Sequence, residues 1–155
     1  MIADKLASET DALARIAALP RPLVFTNGVF DLLHRGHVTY LERARGLGAS
    51  LVVAVNSDAS VRGLAKGADR PINSIAERMA VVAALAAVDL VVPFDDATPR
   101  DLIVACRPDV LVKGGDYTAD TTAGAAEVEA RGGRFVAIPF EFACSTTELV
   151  RRIRG

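Results

Sequence analysis

The chain has 155 residues, a length that suits one compact domain and is too short for two of ordinary size. Hydrophobic residues make up 51% and charged residues 24%, proportions typical of a soluble globular protein and not of a disordered one. The formal net charge of −1 gives no electrostatic basis for nucleic acid or an anionic membrane as the main partner, so any anion must be bound by a local cluster of donors.

The N-terminal 20 residues are predicted to form an amphipathic helix appended to a single domain that spans residues 21–155. They mix acids and bases with short apolar gaps, which is not the pattern of a signal peptide. The longest apolar stretch, Ala80 to Val88, is about half of what a membrane span needs. Cys106 and Cys144 lack the paired spacing of a zinc site and are too few for a disulfide framework. We therefore expect a cytoplasmic protein with reduced thiols.

Five apolar runs, separated by longer helix-like segments, are predicted to be strands. They read as nearly continuous apolar stretches instead of alternating ones, which indicates strands covered on both faces. The runs are Leu23–Phe30, Ser50–Asp58, Asp89–Phe94, Val110–Tyr117 and Arg134–Phe140. Repeated strand–helix–strand units with short connections predict an open parallel sheet with right-handed crossovers.

Three segments carry the signature of a helix start. Ser74-Ile-Ala-Glu77 and Ser145-Thr-Thr-Glu148 have the spacing of a capping box. Thr98-Pro99 places a capping hydroxyl before a proline at the first helical position. In parallel sheets of this kind ligands bind at the carboxyl ends of the strands, so the residues after each apolar run are the ones to search.

The segment after the first strand, Thr26–His37, holds both histidines of the chain. It is neither a G-x-G-x-x-G dinucleotide fingerprint nor a P-loop. Gly36 lets the backbone approach a ligand where a helix of about residues 36–47 begins, and the free amides of that helix start suit a phosphate. His34 and His37 could add two imidazole donors to phosphoryl oxygens as charge develops in a transition state.

Two other interpretations of the histidines stay open. One imidazole could cap a helix and the other fill the core. Alternatively Asp31, His34 and His37, which repeat at intervals of three, could ligate a metal, although no cysteine or further histidine lies nearby.

Polar residues also follow the other predicted strands. Lys66, in a glycine-containing loop, could reach over a bound phosphate or simply be solvated. Arg78, one turn into the next helix, is typically a surface charge or an ion-pair partner. Lys113 at the end of a buried strand is not explained by the turn that Gly115 and Asp116 indicate.

These residues together resemble the nucleotidyltransferase superfamily whose signature is G-x-F-D-x-x-H-x-G-H, here Gly28-Val-Phe-Asp-Leu-Leu-His34-Arg-Gly-His37. The resemblance covers nearly the whole chain from about Arg21. The motif region, the Arg-Pro-Ile-Asn segment with Arg78, Arg107–Tyr117 and Cys144–Val150 are similar to the heptose 1-phosphate adenylyltransferase branch. The resemblance implies a Rossmann-like, doubly wound α/β fold with a five-stranded, mainly parallel sheet and helices on both faces.

The resemblance also implies the chemistry: a sugar 1-phosphate attacks the α-phosphorus of ATP and pyrophosphate leaves with Mg²⁺, which is bound mainly through the triphosphate. His37, His34 and Lys66 would be the catalytic residues. The nucleotide and its phosphates would be bound by a further set: Asn27, Gly28, Val29, Phe30, Gly36, Lys113, Gly115, Asp116, Ser145 and Thr146. Asp31 and Arg78 would support them, Asp31 by ordering the motif loop. Related enzymes are commonly dimers, so a homo-oligomer is expected, with no nucleic-acid or membrane partner.

One departure from a neighbouring branch bears on the nucleotide. Glycerol-phosphate cytidylyltransferases have an arginine in an R-T-E-G-I-S-T-T segment, whereas the corresponding stretch here, Phe140–Thr147, has none. This favours ATP over CTP. No kinase domain precedes the motif, which implies an enzyme fed by a separate kinase. The alternatives are a CTP-dependent enzyme for glycerol 3-phosphate or a similar alcohol phosphate, and a regulatory nucleotide-binding domain without turnover; a dehydrogenase-type dinucleotide binder is disfavoured by the missing glycine fingerprint.

Overall fold

A computed structural model describes residues 1–64 and 67–155 and shows one five-stranded, entirely parallel sheet. The strand order is β3-β2-β1-β4-β5. The strands are β1 (Leu23–Gly28), β2 (Ser50–Asn56), β3 (Leu90–Phe94), β4 (Val110–Gly114) and β5 (Arg134–Ile138). Because the chain winds outward from β1 to β3 and then returns to the other side of β1, the topological switch point lies between β1 and β4, where a ligand crevice is expected.

Helices cover both faces of this sheet, as predicted. They are α1 (Ala12–Ala17), α2 (Arg35–Arg45), α3 (Asp58–Gly63), α4 (Ile75–Ala83), α5 (Arg100–Cys106), α6 (Ala125–Ala130) and α7 (Thr146–Arg154). One core cluster contains Leu41 of α2 and Val82 of α4. The other contains Ile16 of α1, Ile103 of α5 and Val128 of α6. The doubly wound fold is therefore confirmed.

Alternate residues of each strand enter opposite core clusters. Val24 packs on the α2/α4 side and Phe25 on the α5/α6 side, and Val53 and Ala54 of β2 divide in the same way. A strand buried on both faces needs apolar residues at every position, which is why these runs do not alternate.

The strands end earlier than the apolar runs predicted. Phe30, Asp58, Tyr117 and Phe140 all lie beyond the last residue of their strand. At Phe30 the backbone turns to φ 49°, which a strand cannot contain. Asp58 begins α3, whereas Phe30, Tyr117 and Phe140 lie in loops at the carboxyl edge and line a cleft there.

The start of α4 is the capping box that the sequence predicts. Ser74 Oγ accepts from the Glu77 amide, and the Glu77 carboxylate accepts from the Ser74 amide at 2.9 Å. At α7 only half of the box forms: Ser145 Oγ accepts from the Glu148 amide at 3.1 Å, whereas the Glu148 carboxylate binds Arg151.

The predicted cap at Thr98 is wrong by one residue. Helix α5 begins at Arg100 with Pro99 as its N-cap, and no side chain caps it. Thr98 instead lies among the residues that line the cleft at the carboxyl edge.

The N-terminal segment differs from the single predicted helix. It forms a short 3₁₀ helix, Ile2–Lys5, and then α1. Between them the Ala7 amide donates to the Val91 carbonyl at 2.9 Å, so the segment covers the free edge of β3. The division of the chain at residue 20 stays a prediction. In the described parts of the chain, no helix is long and apolar enough to cross a membrane.

Candidate active site

A cleft of about 510 Å³ opens at the carboxyl edge of the sheet, across the switch point. Of the residues predicted to bind the nucleotide and its phosphates, it is lined by Asn27, Gly28, Val29, Phe30 and Lys113, together with the predicted catalytic His37. The same cleft is lined by residues that the sequence did not single out for the site: Tyr40, Asn56, Leu64, Ala97, Thr98, Pro99, Gly114, Tyr117, Thr121, Thr122, Ala123 and Phe140.

The two histidines of the motif stack on each other at the start of α2. Their ring centroids are 3.8 Å apart with an interplanar angle of 21°. A Cβ at Gly36 would lie only 3.0 Å from the His34 ring, so a glycine is needed for the helix to begin against that ring. On its other side His37 meets the edge of Phe30, with centroids 5.3 Å apart. The motif therefore holds a pair of stacked imidazoles at the start of α2, of which His37 lines the cleft and His34 does not.

The imidazoles have buried polar atoms without a partner. Among the described residues, Nδ1 of His34, Nδ1 of His37 and Oδ1 of Asn27 are the buried side-chain atoms that lack a hydrogen bond. Burial, and to a smaller extent His34, lowers the pKa of His37 to about 4, and burial also lowers the pKa of His34. Both rings are thus neutral near pH 7 in the free protein. Two of these atoms, on His37 and Asn27, belong to residues that line the cleft, whereas His34 is not a lining residue. Unsatisfied atoms beside a cleft are the expected mark of a site completed by a ligand.

The low pKa of His37 predicts a pH-dependent stability. The folded state holds this ring neutral down to about pH 4, whereas the unfolded chain takes up a proton below about 6.5. The free energy of unfolding should therefore fall by about 2–3 kcal/mol as the pH is lowered from 7 to 4. Urea unfolding of the wild type and of His37→Asn across this pH range separates the contribution of His37 to stability from that of the carboxylates. In the variant, most of this fall in the free energy of unfolding that is due to His37 should be absent. An equal pH dependence in both proteins would contradict the effect of His37 burial.

Asp31 of the motif ties the loop to the segment before α4. Its carboxylate accepts from the amides of Ile72 and Asn73 at 2.9 Å each and from Arg70 Nε at 2.6 Å. Burial opposes ionisation, but the two amides and Arg70 together lower the pKa of Asp31 below its usual value. The carboxylate is therefore a buried anion that orders two loops.

This arrangement does not support the metal interpretation of Asp31, His34 and His37. Both Asp31 oxygens are occupied by protein donors, and its side chain is fully buried beside Arg70. Over residues 1–64 and 67–155 no group of three or more histidine, cysteine, aspartate or glutamate side chains is placed to hold a metal ion.

Arg78 is an ion-pair partner but not a surface charge. Its side chain is fully buried; it donates to the carbonyls of Val29 at 2.7 Å and Asn73 at 3.0 Å, and it pairs with Asp58 at 2.7 Å. The sequence position, one turn into a helix, gave no sign of this burial. Arg78 stabilises the motif loop through its hydrogen bond to Val29. It therefore contributes to the cleft by positioning Val29.

The residues at the end of β4 and just after it divide between the cleft and the surface. Lys113 lines the cleft and lies over the ring of Tyr117, with Nζ 5.4 Å from the centroid. Gly115 has φ +92°, which side-chain-bearing residues rarely adopt, and its amide donates to Ile138 of β5 at 2.9 Å. Asp116 is exposed and is not among the residues that line the cleft.

The start of α7 adjoins the motif loop beside the cleft. Thr146 Oγ1 donates to the carbonyl of Leu32 at 3.2 Å, and Ser145 caps the helix. The Arg35 guanidinium lies 3.7 Å above the Phe142 ring. These contacts bring the free amides of α7 next to the histidine motif, although neither Ser145 nor Thr146 lines the cleft itself. Lys66, the third predicted catalytic residue, lies outside the described residues.

Tyr40 and Asn56 line the cleft, but neither was predicted from the sequence as a site residue. Tyr40 contacts Thr26 Oγ1 and donates to the Val112 carbonyl at 3.3 Å, and burial raises its pKa. Its place in the middle of a predicted helix gave no signal. Asn56, in contrast, ends an apolar run in the same way as Lys113, and that pattern could have identified it.

Known proteins are similar to this chain in sequence and in fold. A model of the cytidylyltransferase-like family matches residues 25–152. A D-beta-D-heptose 1-phosphate adenylyltransferase of Bordetella bronchiseptica is 59% identical over 152 residues, which is 97% of this chain and 94% of that protein. The bifunctional protein HldE of Haemophilus influenzae is 53% identical over 144 residues, or 93% of this chain, and the match spans only 30% of its length.

Solved structures give the same result for the fold. A lipopolysaccharide core biosynthesis protein from Thermoplasma volcanium superposes with a TM-score of 0.64 at 27% identity, over 79% of this chain and 98% of that one. A pantothenate synthetase from Thermus thermophilus superposes with a TM-score of 0.58 at 20% identity, over 86% of this chain and 61% of that one, and supports the fold alone. With the family model spanning most of its length and its histidine motif at the cleft, the chain belongs to the cytidylyltransferase-like family.

Proposed function

We propose that this protein is an adenylyltransferase that transfers AMP from ATP to D-glycero-β-D-manno-heptose 1-phosphate, forming ADP-heptose for the lipopolysaccharide core. The observation that carries the proposal is the 59% identity to a heptose 1-phosphate adenylyltransferase over nearly the full length of both chains. The cleft supports it, because the histidine motif, Lys113 and the start of α7 converge at one edge of the sheet.

The reaction is a direct displacement. A phosphate oxygen of the sugar 1-phosphate forms a bond to the α-phosphorus of ATP, the bond from that phosphorus to the bridging oxygen breaks, and pyrophosphate leaves with the electron pair. No covalent enzyme intermediate is required. Catalysis then consists of holding the two anions in line and stabilising the charge that develops on the phosphoryl oxygens.

His37 and His34 are proposed to provide that stabilisation. A neutral imidazole carries one N–H donor, and each ring has a buried nitrogen with no partner among the described residues. The stacked arrangement fixes both rings before substrate arrives, so little reorganisation is needed in the transition state. An anionic triphosphate nearby would raise their pKa, which strengthens the interaction as negative charge grows.

The remaining residues are assigned by their position in the family motifs. Gly28 and Phe30 would form the floor under the nucleotide, and a Cβ at Gly28 would lie 2.9 Å from the Phe30 ring, so only glycine leaves this floor unobstructed. Ser145 and Thr146 would bind β- and γ-phosphate oxygens from the start of α7. Lys66 would neutralise the α- and β-phosphates, and Lys113 and Asp116 would face the nucleotide or the sugar phosphate.

Mg²⁺ is proposed to enter with the triphosphate. The carboxylate of the motif, Asp31, is saturated by protein donors and is not placed to hold the ion. When bound, Mg²⁺ would neutralise charge on the triphosphate and on the leaving pyrophosphate.

Pyrophosphate release with Mg²⁺ tests the proposed reaction. ATP and CTP are each combined with heptose 1-phosphate and with glycerol 3-phosphate. Release should be confined to ATP with heptose 1-phosphate, with kcat/KM at least about tenfold above any other pair, because an enzyme discriminates through contacts that only its own substrates complete. The missing arginine in Phe140–Thr147 is the reason to expect ATP.

Each other outcome has a defined meaning. Release with CTP and glycerol 3-phosphate would keep the histidine chemistry but contradict the heptose assignment. No release from any pair, with ATP still bound, would favour the regulatory domain without turnover.

A further inference from the structure

Two asparagine side chains lie at the carboxyl ends of neighbouring strands and line the cleft. Asn27 is two residues after Phe25 in β1, and Asn56 is two residues after Ala54 in β2. Phe25 and Ala54 both belong to the core cluster that faces α5 and α6. Because strand side chains alternate between faces, Asn27 and Asn56 point to the α5/α6 side, and both line the cleft.

The orientation of the Asn56 amide is fixed by a hydrogen-bond chain. Ser60 Oγ donates its only proton to the Asp96 carbonyl at 2.9 Å. It must therefore accept from Asn56 Nδ2, which lies 3.0 Å away. Asn56 Nδ2 keeps a second N–H, and the carbonyl oxygen, Oδ1, is the Asn56 acceptor that a ligand hydroxyl can engage.

Asn27 presents the same kind of atom. Its Oδ1 is buried and, within the described residues, accepts no hydrogen bond. A buried acceptor without a donor costs free energy, and a ligand that supplies the donor would remove that cost. Both asparagines thus line the cleft from adjacent strands, and each has an amide oxygen with no donor among the described residues.

The chemistry of these atoms selects the part of the ligand that they bind. Phosphate oxygens are anionic acceptors and would be repelled by amide oxygens, whereas hydroxyl groups can donate to them. On the α2/α4 side of the sheet, Phe30 and Tyr40 belong to the core cluster of that face and line the cleft with His37 and Phe140, an environment that suits a purine and its phosphates. The α5/α6 side, with the two asparagines, suits a polyhydroxylated group.

We propose that Asn27 and Asn56 accept hydrogen bonds from hydroxyl groups of the acceptor sugar and so select a heptose phosphate over smaller alcohol phosphates. This rests on the proposed function and refines it, because the motif alone groups Asn27 with the nucleotide-binding residues. The assignment makes Asn27 a specificity-determining residue for the sugar and not for ATP.

The variant Asn27→Leu tests this assignment. It removes the amide at similar volume, so kcat/KM for heptose 1-phosphate should fall by about 10- to 100-fold, since a sugar hydroxyl is left buried without a partner. The dissociation constant of ATP, measured without sugar, should be unchanged. The thermal midpoint should be unchanged or higher, because Asn27 Oδ1 has no protein donor to lose. A residue with a merely structural role would instead lower the midpoint.

Monodeoxy analogues of the sugar phosphate provide the matched control. One analogue should be a poor substrate for the wild type. For Asn27→Leu the same analogue should be as good a substrate as heptose 1-phosphate, because the Asn27 amide that binds the missing hydroxyl has already been removed. Equal penalties in both proteins for every analogue, or a weaker ATP affinity in the variant, would overturn the proposal. If the wild type released no pyrophosphate from ATP and heptose 1-phosphate, that result would instead overturn the proposed function, and this inference with it.

Discussion

Replacing His37 with alanine should lower kcat by about 10²- to 10³-fold while ATP binding is largely retained. In the free protein the ring is neutral, and its Nδ1 makes no hydrogen bond with any residue the structure describes. In the proposed role its donor capacity serves charge that appears during the reaction, so its effect should be larger on the transition state than on the bound substrate. Steady-state pyrophosphate release and equilibrium ATP binding separate the two effects.

Val38→Ala is a suitable control for this variant. Val38 follows His37 in α2, and it is 37% exposed and does not line the cleft, so its truncation should leave kcat near the wild-type value. If His37→Ala weakened ATP binding by the same factor as turnover, His37 would be a binding residue and not a transition-state stabiliser.

Replacing Asp31 with asparagine should destabilise the fold by about 3–5 kcal/mol, because it leaves Arg70 as a buried charge without its partner. The Asp31 side chain is fully buried and that of Arg70 is 8% exposed, with 2.6 Å between carboxylate oxygen and Nε. An asparagine retains one acceptor oxygen, and its amide group would face the backbone donors of Ile72 and Asn73. The measurement is the free energy of unfolding from urea denaturation at pH 7.

The same substitution at Asp101 provides a matched comparison. Asp101 pairs with Arg100 at 3.4 Å, but its side chain is 84% exposed, and exposed pairs contribute about 0–1 kcal/mol. Asp31→Asn and Asp101→Asn therefore differ mainly in the burial of the pair. Similar losses of stability in the two variants would show that the Asp31 carboxylate does not hold the motif loop.

A large part of the fold could be predicted from the sequence because its signals are local. The five apolar runs identify the strands, since a parallel sheet covered on both faces requires apolar residues at consecutive positions. The capping box at Ser74 also follows from spacing alone, because its atoms lie within one helical turn. The glycine and the histidines of the motif similarly predict a phosphate site, and that site and their individual roles remain predictions.

The errors occur where contacts between distant segments decide the outcome. The apolar residues Phe30 and Phe140 extend their runs beyond the strands because hydrophobicity alone does not distinguish a strand residue from a loop residue that lines a cleft. Arg78 is buried only because three acceptors, on the motif loop, before α4 and on α3, converge on it. None of these partners could be assigned before the loops were placed together.

The sequence by itself predicted an open parallel α/β sheet and the histidine motif at the end of the first strand, and the family resemblance implied the doubly wound arrangement. The tertiary structure decided which strand ends meet: β1 lies between β2 and β4, so Asn27 shares a cleft with Asn56 and Lys113, which are 29 and 86 residues further along the chain. The physical reason is that periodicity and capping depend on neighbours within a few residues, whereas the partner of a buried charge or the occupant of a cleft depends on packing between segments far apart in sequence.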